Sequence, residues 1–317
     1  MIPRVAHFVW IGRKIAWIYA LGVITAARRG GFERVLLHHT DVLDADASVV
    51  DLSAEPRVEL VPLDALGLVE AAGGPNLADR YRELESAAAR VNLLRVALLA
   101  QAGGVYLDAD TVTLRSFEPL MAAGGVFCGE ERLVYPGSAG TGVLSRVRPA
   151  ALLRTSARDV MRRLPRGDRL FRRVERIYPK AVNNAVLGAE PGHPLLRALI
   201  DRALALSAEE RRVRYAFGTH LLQALVAEWK GAGLSVLPPP VFYPLGPEIS
   251  EHWFRRRPGA RLEDVLAPET LLVHWYASVR TERYVAAIDR SWVAEHAGDR
   301  LFAALALRGL GETPDLT

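Results

Sequence analysis

Gly103-Gly-Val-Tyr-Leu-Asp-Ala-Asp110 is the stretch on which the fold turns. Two glycines stop whatever precedes them. Three apolar residues follow and read as a short buried strand, and two carboxylates stand two residues apart at its end. If Ala109 continued the strand, Asp108 and Asp110 would project to the same side. In parallel α/β sheets, ligands bind beyond the carboxyl ends of the strands, so the pair is well placed for chemistry. Two hard oxygen ligands suit Mg²⁺ or Mn²⁺. An ion held there can neutralise charge developing on a diphosphate leaving group. Alone, the motif is weak, because many Asp-x-Asp pairs are solvated turns.

The sequence on either side supplies the context. A long helix is expected from Leu77 to Ala102, with Leu84, Ala88, Val91, Leu94 and Leu98 at helical spacing. Further upstream, Arg4–Trp10 reads as a strand and Ile15–Arg29 as a helix closed by Gly30-Gly31. Arg34–His39 and Val58–Pro62 read as two more strands. This alternation predicts an α/β fold with a mostly parallel central sheet flanked by helices. Downstream, strands are expected at Gly125–Gly129, Thr141–Ser145 and Leu271–Trp275, with core resuming at Asn183–Gly188. Helices are expected at Pro194–Leu206 and Ala208–Lys230, and a rigid surface loop at Pro238–Pro240. Without a linker or a repeat of 20 to 50 residues, the chain reads as a single domain over 1–317. A basic helical insertion occupies roughly 149–180.

Composition narrows the function classes. The 317 residues are 50% hydrophobic and 24% charged, enough to bury a core and too apolar for disorder throughout. The formal net charge of +4 is too balanced for a general nucleic-acid binder. A single cysteine, Cys128, excludes an internal disulfide framework and a Cys-rich zinc site. Ile15–Ala27 imitates the apolar core of a signal peptide but follows a strand, so a buried first helix is expected. No segment reaches the ~18 to 20 apolar residues of a membrane span. A cytoplasmic protein, or one peripheral at the inner membrane face, is the expectation.

Three stretches resemble the family of glycosyltransferases with a sugar-binding Asp-x-Asp motif, which includes yeast-type initiating mannosyltransferases and the glucosylating domains of large clostridial toxins. Ile2-Pro-Arg-Val-Ala-His-Phe-Val-Trp-Ile-Gly12 is similar to the family's opening strand. In Ala87–Asp110, Asn92-Leu-Leu-Arg95 precedes the Asp-x-Asp run at the family's spacing. Asn183-Asn-Ala-Val-Leu-Gly-Ala-Glu-Pro-Gly-His-Pro194 is similar to a later core segment, and His274-Trp-Tyr-Ala-Ser278 is a looser match. The resemblance implies a GT-A-type fold and transfer of a sugar, with retention of configuration, from a nucleotide-diphosphate donor such as a UDP-sugar. Trp10 would stack on the base. Asp108 would face ribose, sugar and metal, and Asp110 would ligate the Mn²⁺ or Mg²⁺, with His274 as a further ligand. Arg95 would reach the sugar or diphosphate, and Asn183 and Asn184 would line the sugar pocket. Asn92 departs from the family, which typically carries Asp three residues before the helix Arg, so the donor's identity is open. So is the acceptor: a glycan, a lipid carrier, a natural product or a protein.

Two rival readings use the same residues. Val105-Tyr-Leu-Asp-Ala-Asp-Thr-Val-Thr113 also fits the nucleophile motif of haloacid-dehalogenase-like phosphatases, with Asp108 attacking phosphorus and Asp110 as acid/base. That fold needs a later Lys, and only Lys180 and Lys230 lie downstream, and then a strand-end acidic pair. A non-catalytic sugar-nucleotide binder is the other. Gly137-Ser-Ala-Gly-Thr-Gly142 lacks the Lys-Ser/Thr ending of a P-loop and reads as an acceptor-side loop. In Arg154–Arg176, Arg158, Arg162, Arg166, Arg169 and Arg173 step at three or four residues. They are expected to share a face that meets anionic lipid or an acidic acceptor.

Overall fold

A computed structural model describes residues 1–134, 147–211 and 216–312. The first half alternates as the sequence predicts: β1 (Val5–Trp10), α1 (Trp17–Arg29), β2 (Arg34–His39), α2 (Ala47–Ser53) and β3 (Val58–Pro62). Then come α3 (Ala65–Glu83), α4 (Ala87–Ala102), β4 (Gly104–Leu107), β5 (Thr111–Thr113), α5 (Glu118–Ala123) and β6 (Val126–Arg132). The later elements include α6 (Val147–Arg163), α7 (Gly167–Val174), β7 (Lys180–Ala189), α8 (Pro194–Ala205), α9 (Ala208–Arg211) and α10 (Leu221–Glu228). The last three used below are β8 (Leu234–Leu237), α11 (Pro239–Phe242) and β9 (Leu272–His274).

Seven strands form the central sheet in the order β3-β2-β1-β4-β7-β6-β8. Parallel pairing joins β3, β2, β1 and β4, and also β6 with β8. Of the seven, β7 alone runs against the others, antiparallel to both β4 and β6. The α/β class and the mostly parallel, helix-flanked central sheet are therefore present. Burial follows from this arrangement, because a parallel sheet is covered on both faces. Ala6 and Phe8 of β1 pack with Ile18, Leu21 and Leu305 on one side. Val9 packs with Leu77, Leu94, Leu199 and Leu225 on the other. The apolar segment Ile15–Ala27 is α1 and its approach, and its residues from Ala20 to Ala27 are all buried.

Four expectations need correction. The helix expected over Leu77–Ala102 is two helices. Leu84 leaves the helical conformation, and the Ser86 hydroxyl accepts from the Ala89 N–H to start α4. The apolar period continues across this break because α3 and α4 both face the cluster holding Leu77 and Leu94. The helix expected over Ala208–Lys230 is interrupted by a wide π-type turn at Ala216–His220, in which Gly218 leaves the helical region. The expected loop Pro238–Pro240 instead opens α11, with Pro239 at its first position and buried. Finally, the β4 strand ends at Leu107, so Asp108 and Asp110 are not brought together by strand alternation. The strand expected at Thr141–Ser145 and the loop at Gly137–Gly142 lie outside the described residues.

Two close approaches fix the turn after β4. A side chain on Gly104 (φ +97°) would meet the Val5 carbonyl at 2.6 Å. One on Gly22 of α1 would meet the Ala109 carbonyl at 2.4 Å, so α1 packs directly under the Asp-Ala-Asp turn. Thr25, one turn later, accepts from the Thr113 N–H at 3.1 Å. The helix thus holds both ends of the segment that carries the carboxylates.

Candidate active site

The residues around the turn line a cleft of about 600 Å³. It lies where β4 ends, between β1, α4, β7 and the segment after β9. Asp108 is anchored by its backbone N–H, which donates to the Ala185 carbonyl at 2.8 Å. Its Oδ1 accepts from Arg95 Nη2 at 2.9 Å and from the Tyr106 hydroxyl at 3.0 Å. Arg95 also donates from Nη1 to the Asn184 carbonyl, and its guanidinium carbon lies 4.4 Å from the Tyr106 ring centre. Burial pushes the Asp108 carboxyl above its ordinary range even though Arg95 opposes it. Arg95, in turn, stays charged: burial disfavours the cation, but Asp108 together with Tyr106 and Tyr243 turns the net shift upward.

Asp110 meets the other end of the chain. β5 and β9 pair antiparallel with Thr111 opposite His274. This register sets His274 Nε2 3.0 Å from Asp110 Oδ1. The Asp110 carbonyl accepts from Trp275 N at 3.0 Å, and its Oδ2 accepts from Ala277 N at 2.7 Å. Tyr276 has φ +60°, a left-handed conformation that costs a non-glycine residue about 1 kcal/mol or more. It lies between the two N–H groups that bind Asp110. Burial lowers the His274 pKa, but the Asp110 carboxylate outweighs it and the net shift is upward. For Asp110, burial raises the pKa and His274 overrides it downward. Both shifts favour the charged form of the pair.

Asp108, Asp110 and His274 offer ligand atoms that all lie within 4.8 Å of one another. Two carboxylates and one imidazole suit a hard divalent ion, and small side-chain rotations bring such distances to those of one coordination sphere. His274 presents Nε2 to Asp110, while its Nδ1 is buried without a hydrogen-bond partner. The donor set fits the expected Mn²⁺ or Mg²⁺.

The remaining expected site residues also reach the cleft, each with a partner. Trp10 donates from Nε1 to the Lys14 carbonyl at 3.1 Å and tilts against Tyr19, ring centres 5.0 Å apart. Asn92 accepts at Oδ1 from Asn184 Nδ2 at 2.8 Å. Asn183 donates to Glu131 Oε1 at 2.8 Å, while its Oδ1 accepts from Ala185 N at 2.7 Å. Glu131 was not anticipated. It is a buried third carboxylate lining the cleft, and its Oε2 accepts from the Tyr276 hydroxyl at 2.7 Å. Burial pushes it upward despite the two donors. Nothing local marks it, since Glu130-Glu131 reads as an ordinary exposed pair and Tyr276 lies 145 residues away. Tyr106, inside the motif itself, could have been found from its place one residue from the strand end.

The phosphatase reading finds no support in this geometry. Neither downstream Lys lines the cleft: Lys180 pairs with Glu130 at 2.7 Å. Glu209-Glu210 and Glu263-Asp264 lie outside it as well. The expected open arginine face is also different in form. Arg158 pairs with Glu248 at 2.8 Å and Arg162 with Glu251 at 2.6 Å, so both turn inward. Arg169 pairs with Asp264, and Pro165 falls in the turn between α6 and α7.

Residues 31–126 match the family model described as "Glycosyltransferase sugar-binding region containing DXD motif". That span holds Asn92, Arg95, Asp108 and Asp110. No curated protein matches the chain in sequence. Among solved structures, mouse xyloside xylosyltransferase 1 in its apo form is 14% identical, with 85% of this chain and 97% of that chain covered at a TM-score of 0.45. The WbbM bifunctional glycosyltransferase is 12% identical, with 99% of this chain covering 50% of that one at 0.49. Galactosyltransferase LgtC, in complex with donor and acceptor sugar analogues, is 14% identical, with 92% and 99% covered at 0.42.

Proposed function

We propose that this chain is a metal-dependent, retaining glycosyltransferase that takes its sugar from a nucleotide-diphosphate donor, a UDP-sugar being the expected one. The observation that carries the reading is the convergence of Asp108, Asp110 and His274 in one cleft, the two carboxylates inside the matched sugar-binding region. A bound divalent ion would supply charge neutralisation at the departing diphosphate. Asp110 and His274 would hold it, with Asp108 shared between the ion and the donor. Arg95 fixes Asp108 and opposes its protonation, and Trp10 offers an aromatic face in the cleft lining. Donor hydrolysis needs no acceptor. A screen of nucleotide sugars with Mn²⁺, Mg²⁺ or chelator should show slow hydrolysis of one donor, dependent on metal. Hydrolysis of none, or equal rates in excess chelator, would refute the reading. The anomeric configuration of the released sugar, followed by NMR, tests retention.

Trp10 is held by its Nε1 bond to Lys14, so its orientation is set before a ligand arrives. Aromatic stacking contributes about 1 kcal/mol, and 1.4 kcal/mol corresponds to about tenfold in affinity. Trp10→Ala should weaken UDP binding roughly fivefold in calorimetric titration. Unchanged affinity would make Trp10 a wall residue only.

Asn92 is the residue we propose sets donor preference. Its Oδ1 is engaged by Asn184, so what it can offer a ligand is its N–H groups. A donor bearing an acceptor there, such as an acetamido or carboxylate oxygen, is favoured over plain glucose. Asn92→Asp replaces those donors with a second acceptor beside Arg95, and a buried mismatch costs about 1 to 3 kcal/mol. The ratio of hydrolysis rates should shift towards unsubstituted hexoses by about tenfold. Identical ratios in parent and variant would mean that Asn92 does not read the sugar.

A further inference from the structure

Helices α6 and α7 are apolar on both sides. Inward, Ala151, Met161 and Phe171 are buried. Outward, Leu153 is 72% exposed, Val160 56%, Leu170 41% and Ile177 55%. Leu152, Leu164 and Val174 are exposed as well, so residues 152–177 hold seven of the twelve exposed large hydrophobic side chains among the described residues. Such a concentration is unusual, since soluble surfaces scatter these side chains singly.

The exposed charges among them are all arginines. Arg163, Arg166, Arg169, Arg173 and Arg176 are exposed between the apolar residues. Of the three acids in the stretch, Asp168 is fully buried, Asp159 is held by Arg158 and Arg162, and Glu175 is half-buried. Spacing gathers the set on one side of each helix. Residues 153, 156, 160 and 164 step along α6 and the turn that follows. Residues 166, 170, 173 and 177 step along α7 and its flanks. The pairs Arg158–Glu248 and Arg162–Glu251 tie α6 to the segment that contributes Pro247 to the cleft wall. The surface is therefore braced from behind and lies beside the cleft.

We propose that this face docks on an anionic lipid bilayer. Branched aliphatic side chains interleaved with arginines are the composition of an interfacial helix, apolar groups entering the acyl boundary and guanidinium groups meeting lipid phosphates. A soluble acidic partner would be met by the arginines but leaves no use for Leu153, Leu170 and Ile177. Each cation near an anionic surface adds to the attraction, which falls off within a Debye length. The placement depends only on α6 and α7 and is independent of the donor and the metal.

The test is sedimentation of the full chain with vesicles of phosphatidylcholine alone or with one third phosphatidylglycerol. Binding is expected to the anionic vesicles and to weaken at least tenfold on the neutral ones. Leu170→Ser with Ile177→Ser should cut binding about tenfold, as should Arg166→Gln with Arg173→Gln. Circular dichroism and donor hydrolysis serve as controls, since these residues lie outside the cleft and both should stay at parent levels. Failure to sediment with anionic vesicles at low salt would overturn the proposal. So would apolar variants that bind as tightly as the parent, or capture by heparin without capture by vesicles.

Discussion

Asp110→Asn is expected to abolish measurable Mn²⁺ binding and to lower donor hydrolysis by at least about 100-fold, while the protein stays folded. Losing an outer partner of a metal site typically costs ~10- to 100-fold, and the loss of a ligand carboxylate should exceed that. The fold is spared because the Asp110 backbone carbonyl still accepts from Trp275 N, and the amide oxygen can still accept from Ala277 N. His274→Ala should show the same split. Parent-level hydrolysis in Asp110→Asn, or in excess chelator, would remove the metal from the proposal.

The same pair gives the metal a pH dependence with a definite sign. Without metal, His274 has a raised pKa because Asp110 outweighs the effect of burial. Its contribution to stability is complete below the unfolded value of about 6.5. It is lost as pH rises through the folded value. Asp110 is shifted down, so its contribution is present above the ordinary carboxylate range and lost as pH falls through its folded value. A metal ligand must be neutral imidazole, so binding expels the His274 proton. Metal affinity should therefore climb with pH, about tenfold per unit, and level off above the folded His274 value. Calorimetry in buffers of different ionisation enthalpy should count close to one proton released. No proton release would mean that His274 does not join the ion.

Local chemistry made part of this site legible in the sequence. The Asp108-Ala-Asp110 turn could be seen because its strand, its glycines and its carboxylates are contiguous. Asn92 and Arg95 could be placed on one helix face by their spacing alone. What could not be seen is long-range pairing. The contact between Asp110 and His274 exists because β5 and β9 meet across more than 150 residues, and His274 could be suspected only through a loose resemblance. Glu131 became a cleft residue because Asn183 and Tyr276, from two other elements, satisfy both its oxygens. Spacing also misled. The arginines of α6 and α7 were aligned by periodicity, yet Arg158 and Arg162 found Glu248 and Glu251 behind them, and the outer face carries leucine, valine and isoleucine beside the other arginines. Periodicity reports which residues share a side of a helix, but not which side is solvent.

Arg95→Met should be the most destabilising single change in the cleft. Arg95 is only 4% exposed, and its partner Asp108 is anchored through its backbone to β7 with its side chain partly buried in the cleft wall. Breaking a buried pair by removing one partner costs about 3 to 5 kcal/mol, because a buried charge is left uncompensated. Asp108 can relieve this only by taking up a proton. Burial already biases it that way and Arg95 is the main opposing influence. Two consequences separate charge balance from simple packing. First, the urea midpoint of Arg95→Met should recover in part at low pH relative to parent, since protonation removes the unpaired charge. Second, adding Asp108→Asn should restore stability, so that the double variant is more stable than Arg95→Met alone. Arg95→Lys should fall between, keeping the charge while losing the fork that reaches both Asp108 and the Asn184 carbonyl. If the double variant proves no more stable than Arg95→Met, the pair is not coupled by charge. The cost then lies in the lost contact with the Tyr106 ring and the empty volume left in the cleft wall.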